Sequence, residues 1–480
     1  MNLARQLGWT ALGRFGATAI NLAALIIYSR LLGPAEFGRF ALAQAAAILA
    51  YSVLFYWLVS SITRMAADQG ESAPAFRAAV VTGFLGASVV TAVFGILGAW
   101  AGILLSMKDS GFIAGIVVLA ALGEASYMRV LEHFRAFQRA TPYATLLALR
   151  ATLALTFGWI AIEFVGRTGE MALFGHAIGC LAAAVLMEVL FPDPIRYVGV
   201  WRSLLKEIWI FGSPLSIALI FRTAIQRVDR FVIGAFFGTE AVGLYALAFD
   251  FANRALGIPL MVINVVTYPA MTQAWSKEDA AETTRLAELN WLGMLMIGLP
   301  SAIGLIVIAP DALAILFGAE FATEPAPLIA SIAVFTMLVE AIKLYHLDIA
   351  FMLRRDNRDQ IIITGWGFLV NVAGCALFIP VFGSVAAACI ALATGLFLAV
   401  LAWHRGQRFR EMPMPVSPLF GIFIGCGLMG ATLLGMGRSG DILDLALRVV
   451  VAALIFGGTV YTLDVGKCRT AFMPFTRGAN

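Results

Sequence analysis

Charge is scarce in this sequence. Aspartate, glutamate, lysine and arginine make up 13% of 480 residues, hydrophobic residues make up 61%, and the mean hydropathy is +0.90. Soluble domains carry roughly 25% charged residues, so the shortage excludes a water-soluble globular protein and indicates an integral membrane protein. The net charge of +4 is too small and too dispersed for nucleic-acid binding, and no nucleic-acid partner is expected. The five cysteines, Cys180, Cys375, Cys389, Cys426 and Cys468, show no paired spacing. All but the last sit in apolar runs, where a thiol behaves as a buried small hydrophobe rather than a disulfide partner or metal ligand. The histidines His133, His176, His346 and His404 stand alone, without a second ligand at i+4, so neither a metal nor another cofactor is expected. A G-x-x-x-x-G-K-[ST] run is also missing, which excludes an ATP-driven pump acting by itself. Loops between apolar runs stay below roughly twenty residues, leaving no soluble domain for catalysis. A polymerase or ligase of lipid-linked sugars loses weight for the same reason. The remaining class is a transporter, not an enzyme.

What the chain does contain is one stretch written twice. Gly33-Pro34-Ala35-Glu36-Phe37-Gly38-Arg39-Phe40-Ala41-Leu42-Ala43 returns as Gly238-Thr239-Glu240-Ala241-Val242-Gly243-Leu244-Tyr245-Ala246-Leu247-Ala248, with both glycines, the aromatic and the closing Ala-Leu-Ala in register. Long apolar runs flank each copy, so each is a tight turn between two membrane helices. Glu124-Ala125, Leu131, Glu132 and Arg139 reappear at one shared offset as Glu340-Ala341, Leu347, Asp348 and Arg355. About fourteen stretches are long enough to cross a bilayer, each crossing needing around 20 apolar residues. The first begins near the N-terminus and carries Arg14 and Asn21, which distinguishes it from a cleavable signal peptide.

The expected architecture is all-α: a six-helix lobe over residues 1–195, a second six-helix lobe over 196–410, and two further spans in 411–480. Lysine and arginine favour one set of alternating loops by roughly four to one, which places both termini in the cytoplasm. Arg64, Arg77, Arg135, Arg139, Arg202 and Lys206 lie on that side, and Arg30, Arg39, Lys108, Arg167 and Arg438 on the other. Because each lobe has an even number of spans, both insert in the same sense. They should be related by a pseudo-two-fold axis along the membrane normal, with a cleft between them. The segment Tyr197 to Trp209 reads either as an interfacial helix tethering the lobes or as the frayed start of span seven.

Polar side chains inside spans mark candidate function, because burying them in lipid costs at least a few kcal/mol each. Span one carries Thr10, Arg14, Asn21 and Tyr28 as one stripe; span two carries Gln44 and Tyr51 one heptad apart. Span seven carries Arg222, Gln226 and Asp229 at i, i+4 and i+7, beside Arg227 and Arg230, and span eight carries Asp250 and Arg254 at i and i+4. The expected cavity residues are Arg14, Asn21, Gln44, Arg222, Gln226, Asp250 and Arg254. The Asp250/Arg254 pair reads equally as a structural ion pair between helices. This set is net positive and suits an anionic substrate such as a diphosphate, because guanidinium forks match phosphate oxygens in pairs. Glu124, Arg129, Glu132 and Arg135 on span four, and Glu340, Lys343, His346 and Asp348 on span ten, read mainly as anchors of helix ends. Glu124 and Glu340 lie near mid-span and, with Asp229, are the candidates for coupling to an ion. Gly98-Ala99-Trp100-Ala101-Gly102 on span three signals close helix packing.

Tyr28 to Ala43, and Asp229-Arg230-Phe231-Val232-Ile233-Gly234-Ala235-Phe236-Phe237-Gly238 running into Val242 to Ala248, resemble bacterial polysaccharide-biosynthesis flippases of the multidrug/oligosaccharidyl-lipid/polysaccharide exporter superfamily. The resemblance covers nearly the whole chain and identifies the superfamily better than the glycan. It implies a V-shaped pair of six-helix lobes in the bacterial inner membrane, alternating access, and export of an undecaprenyl-diphosphate-linked oligosaccharide for a surface polysaccharide such as O-antigen, lipopolysaccharide or exopolysaccharide. It further implies coupling to a proton or sodium gradient, contact with membrane lipids, and a polysaccharide polymerase or glycosyltransferase as partner. The extra terminal spans resemble those of fourteen-helix members. Two other readings stand beside it: a multidrug or cation antiporter of the same fold, and a non-transporting membrane scaffold.

Overall fold

The computed structural model of the protein describes residues 3–65, 73–104, 109–192, 201–354, 357–407, 412–438 and 440–465. Among them every regular element is helical. This follows from composition, since an apolar chain in lipid has no water to satisfy its backbone and must bond each N–H and C=O within its own segment. The elements are α1 (Leu3–Leu54), α2 (Tyr56–Met65), α3 (Ala73–Leu104), α4 (Ser110–Ala136), α5 (Ala140–Ile160), α6 (Gly169–Leu190) and α7 (Trp201–Ile225). After them come α8 (Val228–Ser276), α9 (Ala280–Phe317), α10 (Ala326–Ile342), α11 (Ile349–Arg354), α12 (Asn357–Gly406), α13 (Leu419–Gly435) and α14 (Ile442–Thr462).

Three of these helices, of 52, 49 and 50 residues, are long enough for two crossings, and each is broken by a glycine. Gly33 in α1 (φ 69°), Gly238 in α8 (φ 80°) and Gly383 in α12 (φ 72°) adopt left-handed backbone angles that side chains other than hydrogen disfavour. Pro34 follows the first break, where its missing N–H is harmless because the first turn of a helix has no partner for it. Ten stretches of the described residues are long and apolar enough to span a membrane, with the 17-residue α13 just below that length. Dividing the three long ones at their glycines recovers about fourteen crossings.

The chain packs as two compact units, Met1–Ala246 and Leu247–Asn480. The boundary falls inside α8, whereas the sequence repeat turns over at 195/196. In the first unit, Tyr127, Phe134, Tyr143, Leu146, Cys180 and Met187 join α4, α5 and α6, and Leu58, Ile62, Phe76, Val80, Leu204 and Ile208 join α2, α3 and α7. Residues 201–209 are therefore the first turns of a continuous α7. Ser61 Oγ donates to the Ile208 carbonyl at 3.0 Å, the rings of Trp57 and Trp209 meet edge-on at 4.9 Å, and a Cβ on Gly212 would overlap the Trp57 carbonyl oxygen. The reading of a separate interfacial tether gives way to the start of span seven, held rather than frayed; Tyr197 to Val200 lie outside the described residues. So do Cys468 and several of the loop cations, among them Lys108, Arg196, Arg355 and Lys467.

In the second unit, Leu256, Leu260, Met294, Val334 and Leu338 join α8, α9 and α10, while Leu295, Ile422, Cys426, Met429 and Phe456 attach α13 and α14 to α9. Two expectations are corrected. Cys389 is exposed rather than buried, its apolar run presenting that turn outward. Gly98 faces open space while Gly95 and Gly102 abut Val118 and Ser110 of α4, so the small-residue signal holds for only part of its length.

The terminal helices are fastened by one buried charge. Arg448 of α14, 2% exposed, donates to Asp311 of α9 at 2.6 Å and to the carbonyl oxygens of Leu433, at 2.9 Å, and Gly437 at the end of α13. Removing one partner of such a pair leaves an uncompensated charge in a low-dielectric interior. Arg448→Met should therefore lower stability by about 3–5 kcal/mol, seen as a lower unfolding midpoint of detergent-solubilised protein, and Asp311→Asn added to it should restore much of the loss. A double variant as unstable as the single would assign the effect to lost packing instead.

Candidate functional site

The two copies of the repeated turn meet inside the first unit. A Cβ on Gly38 would overlap the carbonyl oxygen of Thr239, and a Cβ on Gly243 would overlap that of Pro34. Pro34 and Thr239 occupy equivalent places in the two copies, as do Gly38 and Gly243, so the contact is reciprocal, with the local geometry of a two-fold axis. Backbone meets backbone, which only hydrogen side chains permit. The first turn is seated further by α6. The Gly169 N–H donates to Glu36 Oε2 at 2.9 Å, where a carboxylate also meets the positive end of the helix dipole, and Glu36 pairs with Arg39 at 3.0 Å. Behind the second turn, Tyr245, 1% exposed, donates its hydroxyl to Asp229, which also accepts from the Arg230 N–H at 2.7 Å.

A second constellation lies between α4, α5 and α6. Arg150 donates to Glu124 Oε2 at 3.3 Å and lies 3.4 Å from His176 Nε2, with its guanidinium 5.1 Å from the Tyr127 ring centroid. One ligand atom each from Glu124, His176 and Cys180 lies within 4.8 Å of the others. A carboxylate, an imidazole and a thiol form a donor set that suits a divalent cation of the zinc type. Here the set surrounds a guanidinium, so the protein supplies its own cation. The expectation that His176 stands alone is corrected: Cys180 follows it at i+4 on the same helix face, and Glu124 faces both from the neighbouring helix.

The other expected residues are placed as follows. Arg14 is half-buried and donates to Tyr143 Oη at 3.0 Å, and Tyr28, at the far end of the same stripe, donates to the Ala154 carbonyl at 2.7 Å. The stripe of α1 thus faces α5 at both points, with half-buried Asn21 between them. Gln44 is half-buried, whereas Tyr51 packs with Phe55, Val59 and Ala87 in the core. Arg222 and Gln226 are exposed, while Asp229 and Arg230 are buried. Their expected common stripe is interrupted, since α7 ends at Ile225 and α8 begins at Val228 with a turn between them.

In the second unit Asp250, Arg254 and Glu340 are half-buried. Glu340 stands just before a π-helical turn, Lys343–Leu347, in which buried His346 lies 3.3 Å from Asn290 Nδ2, and Lys343 pairs with Asp348 at 2.7 Å. Asn290 in turn accepts from Thr267 Oγ1 at 2.7 Å. At the ends of the first unit's helices, Arg129 pairs with Glu188 at 2.7 Å, and Glu132 accepts from Thr63 at 2.5 Å and pairs with Arg135 at 2.9 Å. Sequence reasoning passed over Arg150, Glu188, Asn290 and Asp311. None has a polar companion three or four residues away on its own helix, and the partner of each comes from another.

Because half-buried Arg150 neutralises half-buried Glu124 between helices, Arg150→Leu should destabilise the protein, read as a lower unfolding midpoint in detergent. Glu124→Gln combined with Arg150→Leu should recover part of that loss. Equal destabilisation by the single and double variants would show that the two charges do not compensate one another.

The family model described as "Polysaccharide biosynthesis protein" matches residues 27–324. None of the curated proteins matches the chain in sequence. Among solved structures, the lipid II flippase MurJ in an inward closed conformation superposes with a TM-score of 0.76 at 12% identity, over 95% of this chain and 98% of that one. A mutant of the Vibrio cholerae MATE transporter VcmN gives 0.59 at 17% identity, over 85% and 96%. An inward-facing multidrug resistance MATE transporter of the MOP superfamily gives 0.57 at 15%, over 82% and 95%. Likenesses at such identities establish the fold. The chain belongs to the polysaccharide biosynthesis protein family, and its helices adopt the fold of the MOP-superfamily transporters.

Proposed function

We propose that the protein is a flippase that carries an undecaprenyl-diphosphate-linked oligosaccharide across the bacterial inner membrane, from the cytoplasmic to the outer leaflet, by alternating access. The observation that carries this reading is the reciprocal contact of the two turns. At its closest points bare backbone faces bare backbone. A contact made there by peptide groups can part and re-form without a change of side-chain packing at those points, which suits a gate. The lipid II flippase that shares this fold is named for a lipid-linked substrate, and the family is named for polysaccharide biosynthesis; both point to a lipid-linked glycan rather than a small cation.

Charge supports the same substrate. Arg14, Arg222, Arg227, Arg230 and Arg254 outnumber Asp229 and Asp250, and a guanidinium matches diphosphate oxygens two at a time. Arg222 is exposed at the end of α7 and free to reach outward. In this reading the arginines, with Asn21, Gln44 and Gln226, grip the diphosphate head while the isoprenoid tail stays in the bilayer. A proton or sodium ion reaching Glu124, Glu340 or Asp229 couples the cycle to a gradient: such an ion weakens the hold of Glu124 on Arg150, or of Asp229 on Tyr245. Both termini are cytoplasmic, and a polymerase or glycosyltransferase works alongside.

In liposomes loaded with fluorescent lipid-linked oligosaccharide, the wild type should flip the lipid under an imposed ion gradient. Arg222→Ala and Arg254→Ala should each lower the initial rate by about tenfold or more, as expected for loss of a charge-assisted pair to phosphate. If both variants flip at the wild-type rate while the protein exchanges a cationic dye for protons, the antiporter reading replaces this one. If no lipid or dye moves under any gradient, the protein is a scaffold.

A further inference from the structure

The first unit contains a cavity of about 470 Å³ among α2, α3, α4 and the end of α6, away from both constellations described above. Its volume falls within the range of small-ligand sites, roughly 300–1,000 Å³. Most of its wall is apolar, with Phe76, Phe84 and Phe134 prominent, and the polar exceptions are Arg77, Arg129, His133 and Glu188. These mark one end of the unit. The Arg77 and Arg139 guanidiniums lie 5.6 and 6.0 Å from the Phe137 ring centroid, the His133 ring lies 4.7 Å from that same ring, and Arg135 reaches Thr63 on α2 at 3.4 Å. Cations thus gather where the apolar cavity reaches the end of the helices.

Two details identify what would fill it. Arg129 is held by Glu188 at 2.7 Å and by the Phe84 face at 5.1 Å, yet its Nε is buried with no hydrogen-bond partner among the described residues. The site therefore already contains a fixed guanidinium with one donor left for an acceptor oxygen. The outer wall includes Leu85, which is 57% exposed and begins a stripe on α3 continued by Val89, Val93 and Leu97. An apolar face of that length on a membrane helix is turned toward lipid, so the cavity borders the bilayer sideways. A ligand that fits needs a phosphate at one end and a hydrocarbon chain at the other.

We propose that this cavity is a binding site for an anionic phospholipid of the surrounding bilayer. Its phosphate is held by Arg129 and Arg77 with His133 beside them, and one acyl chain lies between α3 and α4 against Phe76 and Phe84. Two arginines and a histidine against a single carboxylate favour an anionic headgroup over a zwitterionic one, as basic pockets between membrane helices do. The site needs no assumption about the transported substrate, since it rests on the geometry of the first unit.

The test uses purified, delipidated full-length protein titrated with short-chain phosphatidylglycerol, short-chain phosphatidylcholine or inorganic phosphate, with binding read by native mass spectrometry and by the unfolding midpoint. Phosphatidylglycerol should bind about tenfold or more tightly than phosphatidylcholine and raise the midpoint. Arg77→Gln combined with Arg129→Gln should erase the preference, and Val81→Trp, which fills the apolar wall without touching a charge, should weaken both lipids together. Arg285→Gln, a change of an exposed arginine in the second unit, should alter nothing. Equal affinity for the two lipids, retention of the preference in the double arginine variant, full competition by inorganic phosphate, or displacement by a lipid-linked oligosaccharide would each overturn the proposal.

Discussion

The contact on which the structure turns is steric rather than electrostatic. Two peptide backbones approach so closely at Gly38 and Gly243 that a single methyl group on either would collide with a carbonyl oxygen of the other copy. That condition explains why the chain repeats glycines at both ends of the turn. Gly33 and Gly238 are needed for a left-handed φ, whereas Gly38 and Gly243 are needed for room. The same condition extends to Gly169, whose Cβ would overlap the Glu36 carbonyl oxygen. Three segments far apart in sequence therefore converge on one small volume, and that convergence places α7 and the start of α8 in the first compact unit although the sequence repeat assigns them to the second lobe.

Around this steric frame the charges obey the rule of a low-dielectric solvent: those inside a helix bundle are matched there. Arg150 meets Glu124, and Arg448 meets Asp311 together with the carbonyls that end α13. Both pairs bridge helices whose apolar faces alone would not fix their register, because lipid tails compete equally well for an apolar surface. The zinc-like donor set around Arg150 fits the same logic. In hydrocarbon a carboxylate needs a cation, and a tethered guanidinium provides one at all times, whereas a metal ion would have to be acquired from solution.

Much of the fold was legible because membrane helices declare themselves through length and composition, and because the turn glycines leave no alternative conformation. Gly33 and Gly238 could be paired by eye for that reason. The polar interior was less legible for an equally physical reason. Arg150, Asp311 and Asn290 each lack a companion at i+3 or i+4, and their partners lie on other helices at a sequence distance that periodicity does not encode. His176 and Cys180 did carry a local signal, the i+4 spacing, but a cysteine in an apolar run looks like any small core residue. The break between Ile225 and Val228 has neither glycine nor proline to announce it. The stripe from Arg222 to Asp229 therefore read as one face, although the turn separates an exposed arginine from a buried aspartate.

That separation bears on which cations remain for a ligand. Within the first unit, Arg150 is committed to Glu124 and Arg14 leans on Tyr143, while the buried Arg230 adjoins Asp229 in a shell completed by Tyr245. Each of the three exchanges a partner inside the bundle when it turns to phosphate, and that loss offsets part of the gain. Arg222 differs from them in one respect: it is exposed at a helix end. A long side chain in that position has the least to surrender and the widest reach, so among the expected cavity residues of this unit it is the one whose charge is available without dismantling the structure that holds it.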